Sequence, residues 1–350
     1  MHEHKPIREL AFLPDMVDGE ILYSWTGHYH RLSGNGNPIR TSMQIFGNRC
    51  AVFRRNVPSH LDHFVAVTIG VFGDVETLAY ERSQFGFFAP FKSVDLICNS
   101  LQRMKGNYFN ALNADIGLHS QQFRSSSRLK ACPDCMSEDM KKFFITKWYL
   151  EHQWPASWIC RKHSRMLLVV KKRLLCKNSR YLLLPQDISK SEWEHCHEIS
   201  QMQIRNLKTV ISFCASLARR RHYHLNLDLL RFAYLLGAKR KGWVRQDGTL
   251  VVDNLWEKFK KNYQELDGLA GLERGIQIFK DQHFILRPMR RHIHAGHPIS
   301  HFLLMPLLFD SPSELNATYE KVKDSFREGG MSSVLDLVSI QMVRRITAAY

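Results

Sequence analysis

Cys132-Pro-Asp-Cys135 and, after a gap of 24 residues, Cys160-Arg-Lys-His163 are the stretches that decide how this chain is organised. Each sets two metal-ligating side chains either side of a two-residue gap, so that one turn aims both at a single ion. Two such turns complete a tetrahedron of three sulfurs and one nitrogen, a donor set suited to Zn²⁺. Pro133 favours the first turn. All four positions are filled by protein ligands, so the expected role of the ion is structural. One Zn²⁺ held by Cys132, Cys135, Cys160 and His163 is therefore expected. Between the pairs, Lys147-Trp-Tyr-Leu150 and Trp154-Pro-Ala-Ser-Trp158 supply aromatic packing for a small metal-pinned unit. Loss of the ion is expected to unfold this segment and leave much of the helical remainder standing. Downstream, Cys176, His195, Cys196 and His197 contain no second C-x2-C pair, and no second ion is expected. Cys50, Cys98 and Cys214 lie among apolar residues and read as buried thiols.

Outward from the cysteines, charge follows the same division. Residues 132–190 carry 12 basic and 5 acidic side chains, a net of +7. Residues 1–131 carry 14 and 11, a net of +3, and residues 191–350 carry 23 and 17, a net of +6. These ranges are the expected domains: an N-terminal helical region, a zinc-finger unit with a basic strand and loop extension, and a C-terminal helical, helix-turn-helix-like region. The 350-residue chain totals 49 Lys and Arg against 33 Asp and Glu, or +16, which points to a polyanionic partner. Three basic stretches are the candidate nucleic-acid contacts. The first holds Arg161, Lys162, Arg165, Lys171, Lys172 and Arg173. The second holds Arg219, Arg220, Arg221, Lys239, Arg240 and Lys241. The third holds Arg287, Arg290 and Arg291, beside three histidines. Each stretch can hold phosphates or form a solvated face.

Helical periodicity dominates elsewhere. Asp18 is placed to cap a helix through Ile21, Leu22, Trp25 and Tyr29, Ser59 one over His60–Ile69, and Asp74 one over Val75–Arg82. A further helix is expected near Ser93–Lys105. Phe85-Gly-Phe-Phe-Ala-Pro-Phe91 reads as a wedge between helices rather than a base-stacking platform. Strands are expected at Met166–Val170 and Tyr181–Leu184. Later helices are expected at Met202–Arg220, Leu225–Leu236, Val252–Tyr263, Leu269–Lys280, Ile299–Phe309, Pro312–Arg327 and Ser332–Ala349. The pair Leu225–Leu236 and Val252–Tyr263 is the helix-turn-helix candidate. The class is mainly α: a multi-domain helical protein with a small Cys3His unit in its middle.

Much chemistry finds no footing. There is no G-x-x-x-x-G-K-[ST] phosphate loop, no H-E-x-x-H, no G-x-S-x-G and no carboxylate cluster for a two-metal site. An enzyme is not expected. No apolar run reaches the length of a membrane span, and the N-terminus lacks a signal-peptide layout, so a cytoplasmic protein is expected.

With these residues in place, the chain resembles the TniQ/TnsD family of transposition target-selection proteins. The likeness runs through Gly19-Glu-Ile-Leu-Tyr-Ser-Trp25, Phe46-Gly-Asn-Arg49, Val57-Pro-Ser-His-Leu61, Tyr80-Glu-Arg82 and Phe88-Ala-Pro-Phe91. It continues through the cysteine motif with Trp148-Tyr-Leu150, then Ile285–His292 and His297-Pro-Ile-Ser-His301. It covers roughly residues 15–310, with N-terminal and metal regions closer to TnsD. The resemblance implies an adaptor that reads a double-stranded DNA attachment site and recruits a TnsC-type AAA+ ATPase. The alternative it implies is a TniQ-type link between a guide-RNA CRISPR effector complex and that ATPase, without sequence readout of its own, with a homodimer through the N-terminal helices as its expected form. A zinc-containing transcription regulator is a third reading. Where some TniQ proteins carry a second Cys-rich motif, this chain keeps only Cys176. TnsD proteins are usually longer, so the chain is expected to be a short member or a fragment.

Overall fold

The computed structural model describes residues 10–106, 112–118, 128–177, 180–194, 198–245, 249–266, 282–289 and 297–338. These are mainly helical. The first group of helices is α1 (Leu22–Leu32), α2 (Pro38–Phe46), α3 (Leu61–Val67), α4 (Val75–Glu81), α5 (Phe85–Phe88), α6 (Val94–Lys105) and α7 (Leu112–Asp115). The middle of the chain holds α8 (Pro133–Phe143), α9 (Leu150–Gln153) and α10 (Lys172–Lys177). Then come α11 (Gln201–Ala218), α12 (Leu227–Arg240), α13 (Val252–Tyr263), α14 (His283–Leu286), α15 (Pro298–Leu308) and α16 (Pro312–Val338). Strands β1 (Lys130–Ala131), β2 (Leu168–Val170) and β3 (Trp193–Glu194) form an antiparallel sheet in that order. Lys130 faces Val169, and Val170 faces Trp193.

Local capping accounts for several helix starts. The Asp74 carboxylate accepts from Thr77 N at 2.8 Å, Ser93 Oγ from Leu96 N at 3.3 Å, and Ser200 Oγ from Gln203 N at 3.3 Å. Two expected caps are not used. α1 begins at Leu22 rather than after Asp18, because the chain there is tied to another segment: Ile21 N donates to Trp148 O and Leu150 N to Gly19 O. The expected face still holds, with Ile21, Leu22, Trp25 and Tyr29 all buried. Ser59 does not cap α3; its hydroxyl pairs with His60 Nδ1 at 3.0 Å, and His60 takes a left-handed φ of 59°.

The four phenylalanines of the wedge are at most 1% exposed, which settles them as core. Phe87 and Phe91 lie 4.9 and 5.2 Å, ring centre to ring centre, from Phe302 of α15. The N-terminal third is thereby packed onto the last part of the chain. Gly86 makes the approach feasible: a Cβ there would sit 2.2 Å from the carbonyl oxygen of Ala218, at the end of α11.

The expected strand at Tyr181–Leu184 does not form. Its backbone groups are taken by side chains instead: Leu183 N donates to Tyr23 Oη at 3.0 Å, and Leu183 O accepts from Trp148 Nε1 at 2.7 Å. β3 supplies the outer strand. α12 packs against α15 and α16, and α13 against α11 and α15, so each helix of the candidate helix-turn-helix pair is held by other helices. The last long helix is broken at Gly329 and Gly330, which have non-helical backbone. The expected helix Leu269–Lys280 and the part of Ser332–Ala349 beyond residue 338 lie outside the described residues.

A buried ion pair joins the first helix to the middle of the chain. Glu20 and Lys147, 0% and 3% exposed, meet at 3.2 Å. Ser24 Oγ donates to Glu20 at 2.8 Å and accepts from Trp148 N at 3.0 Å. Burial pushes the Glu20 carboxyl above its ordinary range, while Lys147 and these hydrogen bonds pull it back.

Candidate metal centre and adjoining basic surface

β1 runs directly into Cys132, which is the N-cap of α8, with Pro133 at the first helical position. Met136 N donates to Cys132 O at 3.0 Å, closing the first turn and carrying Cys135 on it. The second ligand pair sits on a tight hairpin. Ile159 bridges Met166, Cys160 N donates to Arg165 O at 2.7 Å, and Ser164 N donates to Cys160 O at 2.7 Å. Ser164 takes a left-handed φ of 56° to make the turn, and the chain then enters β2. Pairing of β1 with β2 brings the two turns together.

The four donor atoms lie within 4.8 Å of one another. His163 Nδ1 is 3.5, 3.3 and 3.5 Å from the sulfurs of Cys132, Cys135 and Cys160, and Cys135 Sγ is 3.8 Å from Cys160 Sγ. A tetrahedron with bonds of about 2.3 Å to sulfur and about 2.05 Å to nitrogen has edges of about 3.8 and 3.6 Å. The donors thus stand close to the separations that one tetrahedral ion requires. Cys132 and Cys160 are buried, and Cys135 is partly exposed. Hydrogen bonds from the Cys132 and Cys135 thiols lower the Cys160 thiol, toward the thiolate that ligates metals. The other ring nitrogen of His163 pairs with Glu138 Oε1 at 3.2 Å, the carboxylate contact that fixes a ligand ring's orientation. The residues present fit one metal ion.

Among the other cysteines, Cys214 is buried as expected, but Cys50 and Cys98 are exposed. Both lie on the outer side of their segments: neighbouring Ala51 and Val52, and Ile97 and Leu101, take the core positions. His195, Cys196 and His197 lie outside the described residues.

The candidate nucleic-acid contacts are spread over several surfaces, and most are ion-paired. Arg161 and Arg219, from different basic stretches, meet on one carboxylate: Glu151 Oε1 accepts from Arg161 Nη2 at 2.9 Å and from Arg219 Nη2 at 3.1 Å. Lys162 pairs with Glu138, and Arg165 with Asp134 at 3.0 Å. Lys171 Nζ donates to Ser191 O at 2.7 Å, and Arg173 forks onto Glu192, while Lys172 is exposed at the start of α10. Arg220 donates to Asn316 at 3.0 Å, and Arg221 pairs with Glu81. Lys239 is exposed; Arg240 pairs with Glu314 at 3.1 Å, and Lys241 with Asp310 at 2.6 Å. Arg287 opens a short 3-10 turn after α14, and Arg290 and Arg291 lie outside the described residues.

Two acidic side chains of this region were not read from the sequence. Glu138 lies three positions after Cys135 on one helix, a local signal that would have found it. Glu151 carries no such signal, because its second arginine is 68 residues away.

Fold and centre together define a mainly helical protein built around a Cys3His cluster able to hold one metal ion. No protein-family model matches the chain. The chain is similar to the transposon Tn7 transposition protein TnsD of Escherichia coli, at 25% identity over 156 residues. That stretch is 44% of this chain and 30% of the relative, so less than a third of the relative's length is matched. Among the described residues, no helix is long and apolar enough to cross a membrane.

Proposed function

We propose that this chain is a target-selection component of a transposition system, binding double-stranded DNA and passing the chosen site to a TnsC-type AAA+ ATPase. The similarity to TnsD carries this reading. The net charge of +16 supports a nucleic-acid partner. The ion in the Cys3His cluster is Zn²⁺, and it is structural: four protein donors at tetrahedral separations leave no position for a reacting water. The chain acts as an adaptor in the bacterial cytoplasm, not as an enzyme.

One observation favours a second reading, in which a guide-RNA complex supplies the specificity and this chain bridges it to the ATPase. Most basic side chains of the first two stretches are already held by a carboxylate. A surface so neutralised suits weak backbone contact better than strong independent binding.

Selection of the zinc-loaded protein against a random DNA duplex pool at physiological salt separates the two. An enriched motif is the expected result for a reader of a fixed site. A flat pool with only salt-sensitive binding would overturn that reading in favour of the adaptor.

A further inference from the structure

Beside the metal centre, a cleft of about 270 Å³ opens between the hairpin of Cys160–His163 and the end of α11. Its charged lining is Arg161, Lys162 and Arg219 against Asp18, Glu138 and Glu151. Two of the cations are tied to one acid. Glu151 accepts from both Arg161 and Arg219, whose side chains are 46% and 41% exposed. Arg161 comes from the turn between two metal ligands, and Arg219 from the C-cap of α11. The metal hairpin therefore fixes one guanidinium, and α11 brings the other to the same point.

We propose that this cleft is a phosphate seat for a nucleic-acid backbone, and that Glu151 is its resident latch. The proposal rests on the DNA-binding reading above and assigns it a site. Two guanidiniums converging on one carboxylate oxygen, Glu151 Oε1, offer two charge-assisted donors at the point where an anionic phosphate oxygen would sit. A partly exposed ion pair contributes little net stability, so exchanging its carboxylate for a phosphodiester costs little. An entering phosphate displaces Glu151, takes a hydrogen bond from each arginine, and leaves the carboxylate to water. The latch holds the two arginines at a net charge of +1, in a cleft whose charged lining sums to zero, until a polyanion arrives. This gives an unusual expectation: removing an acid that contacts no nucleic acid strengthens binding.

The test uses the full chain with its metal bound and a short random-sequence duplex, with affinity measured across a range of salt. Glu151→Gln keeps the shape of the side chain and removes its charge. It is expected to bind roughly three- to tenfold more tightly at low salt, with a log–log salt slope steeper by about one. Arg219→Ala is expected to bind more weakly and with a shallower slope. It retains the Arg161–Glu151 pair, so it carries the test if Glu151→Gln fails to fold or to hold metal. Wild-type binding with both variants unchanged in affinity and slope would overturn the latch and leave the DNA-binding reading intact. No duplex binding by wild type or by Glu151→Gln would overturn the reading and the latch with it. A third arm titrates inorganic phosphate. If phosphate raises the melting temperature of Glu151→Gln while its duplex affinity equals that of wild type, the seat is one for a free anion and the backbone assignment fails.

Discussion

Glu138 gives the metal centre something that none of its four ligands supplies. Through His163 Nε2 it holds the imidazole with Nδ1 turned to the sulfurs, and it sits on the helix that carries Cys135. Contacts of this kind set ring orientation and ligand basicity, and their loss typically weakens metal binding 10- to 100-fold. Glu138→Gln should therefore lower zinc affinity by about tenfold or more in competition with a chromophoric chelator, while His163→Ala should lose the ion outright. Equal affinity in Glu138→Gln and wild type would mean that the cysteine geometry alone orients the ring. At this scale the site was legible where its logic is local. Two C-x2-C/H turns declare four ligands by spacing alone. Glu138, which orients a ligand, and Glu151, which gathers two arginines, did not declare themselves, because one depends on helix phase and the other on Arg219 reaching it from 68 residues away.

Among elements, α5 and the end of α11 approach closely at Gly86. A methyl on Gly86 would collide with the Ala218 carbonyl oxygen, a backbone atom that cannot rotate away. Gly86→Ala should cost about 3 kcal/mol or more, measured by denaturant unfolding. Gly36→Ala is the control, since its added carbon meets nothing within 4 Å. A Gly86→Ala protein as stable as wild type would refute the contact. Helices were legible where a cap and an apolar face agreed, as at Asp74, while the caps at Ser93 and Ser200 emerged only in the structure. They were misjudged at their starts where tertiary pairing took the backbone, as at Asp18. The run Tyr181–Leu184 has strand-like composition, but hydrogen bonds with Tyr23 and Trp148 replace the ladder that a strand needs.

At the scale of the whole molecule, one buried core runs from α1 to α16, and Trp148, Trp154 and Trp158 belong to it along with Trp25 and Phe302. The tryptophans between the ligand pairs share this core, while Cys132 and Cys160 pack with Leu167 in a small cluster of their own, so loss of the ion is expected to reach further than in a free-standing finger. α15 lies inside the core and carries His301, 3% exposed, with Nδ1 paired to Tyr234 Oη at 3.0 Å. His297 caps the same helix, its Nδ1 accepting from Ile299 N at 3.2 Å, which needs the lone pair of a neutral ring. Burial lowers both histidines to about 3, with Lys92 adding to the effect on His297. Their folded values lie below the unfolded one, so their contribution is complete above about pH 6.5 and is lost as pH falls toward 3. By pH 5 each would cost about 2 kcal/mol. The melting temperature should fall steadily below pH 6.5, and His301→Phe should reduce that slope; an unchanged slope would place the acid sensitivity elsewhere. The Glu20–Lys147 pair has a consequence for how the chain is made. On the ribosome Glu20 emerges 127 residues ahead of Lys147, its ionic partner among the described residues. Until Lys147 clears the exit tunnel, α1 cannot bury that carboxylate without an unmatched charge. Completion of the N-terminal third therefore waits on synthesis of the segment between the metal ligands, and His163 follows only 16 residues later. Docking of the first helix and closure of the metal centre thus fall within one short window of translation.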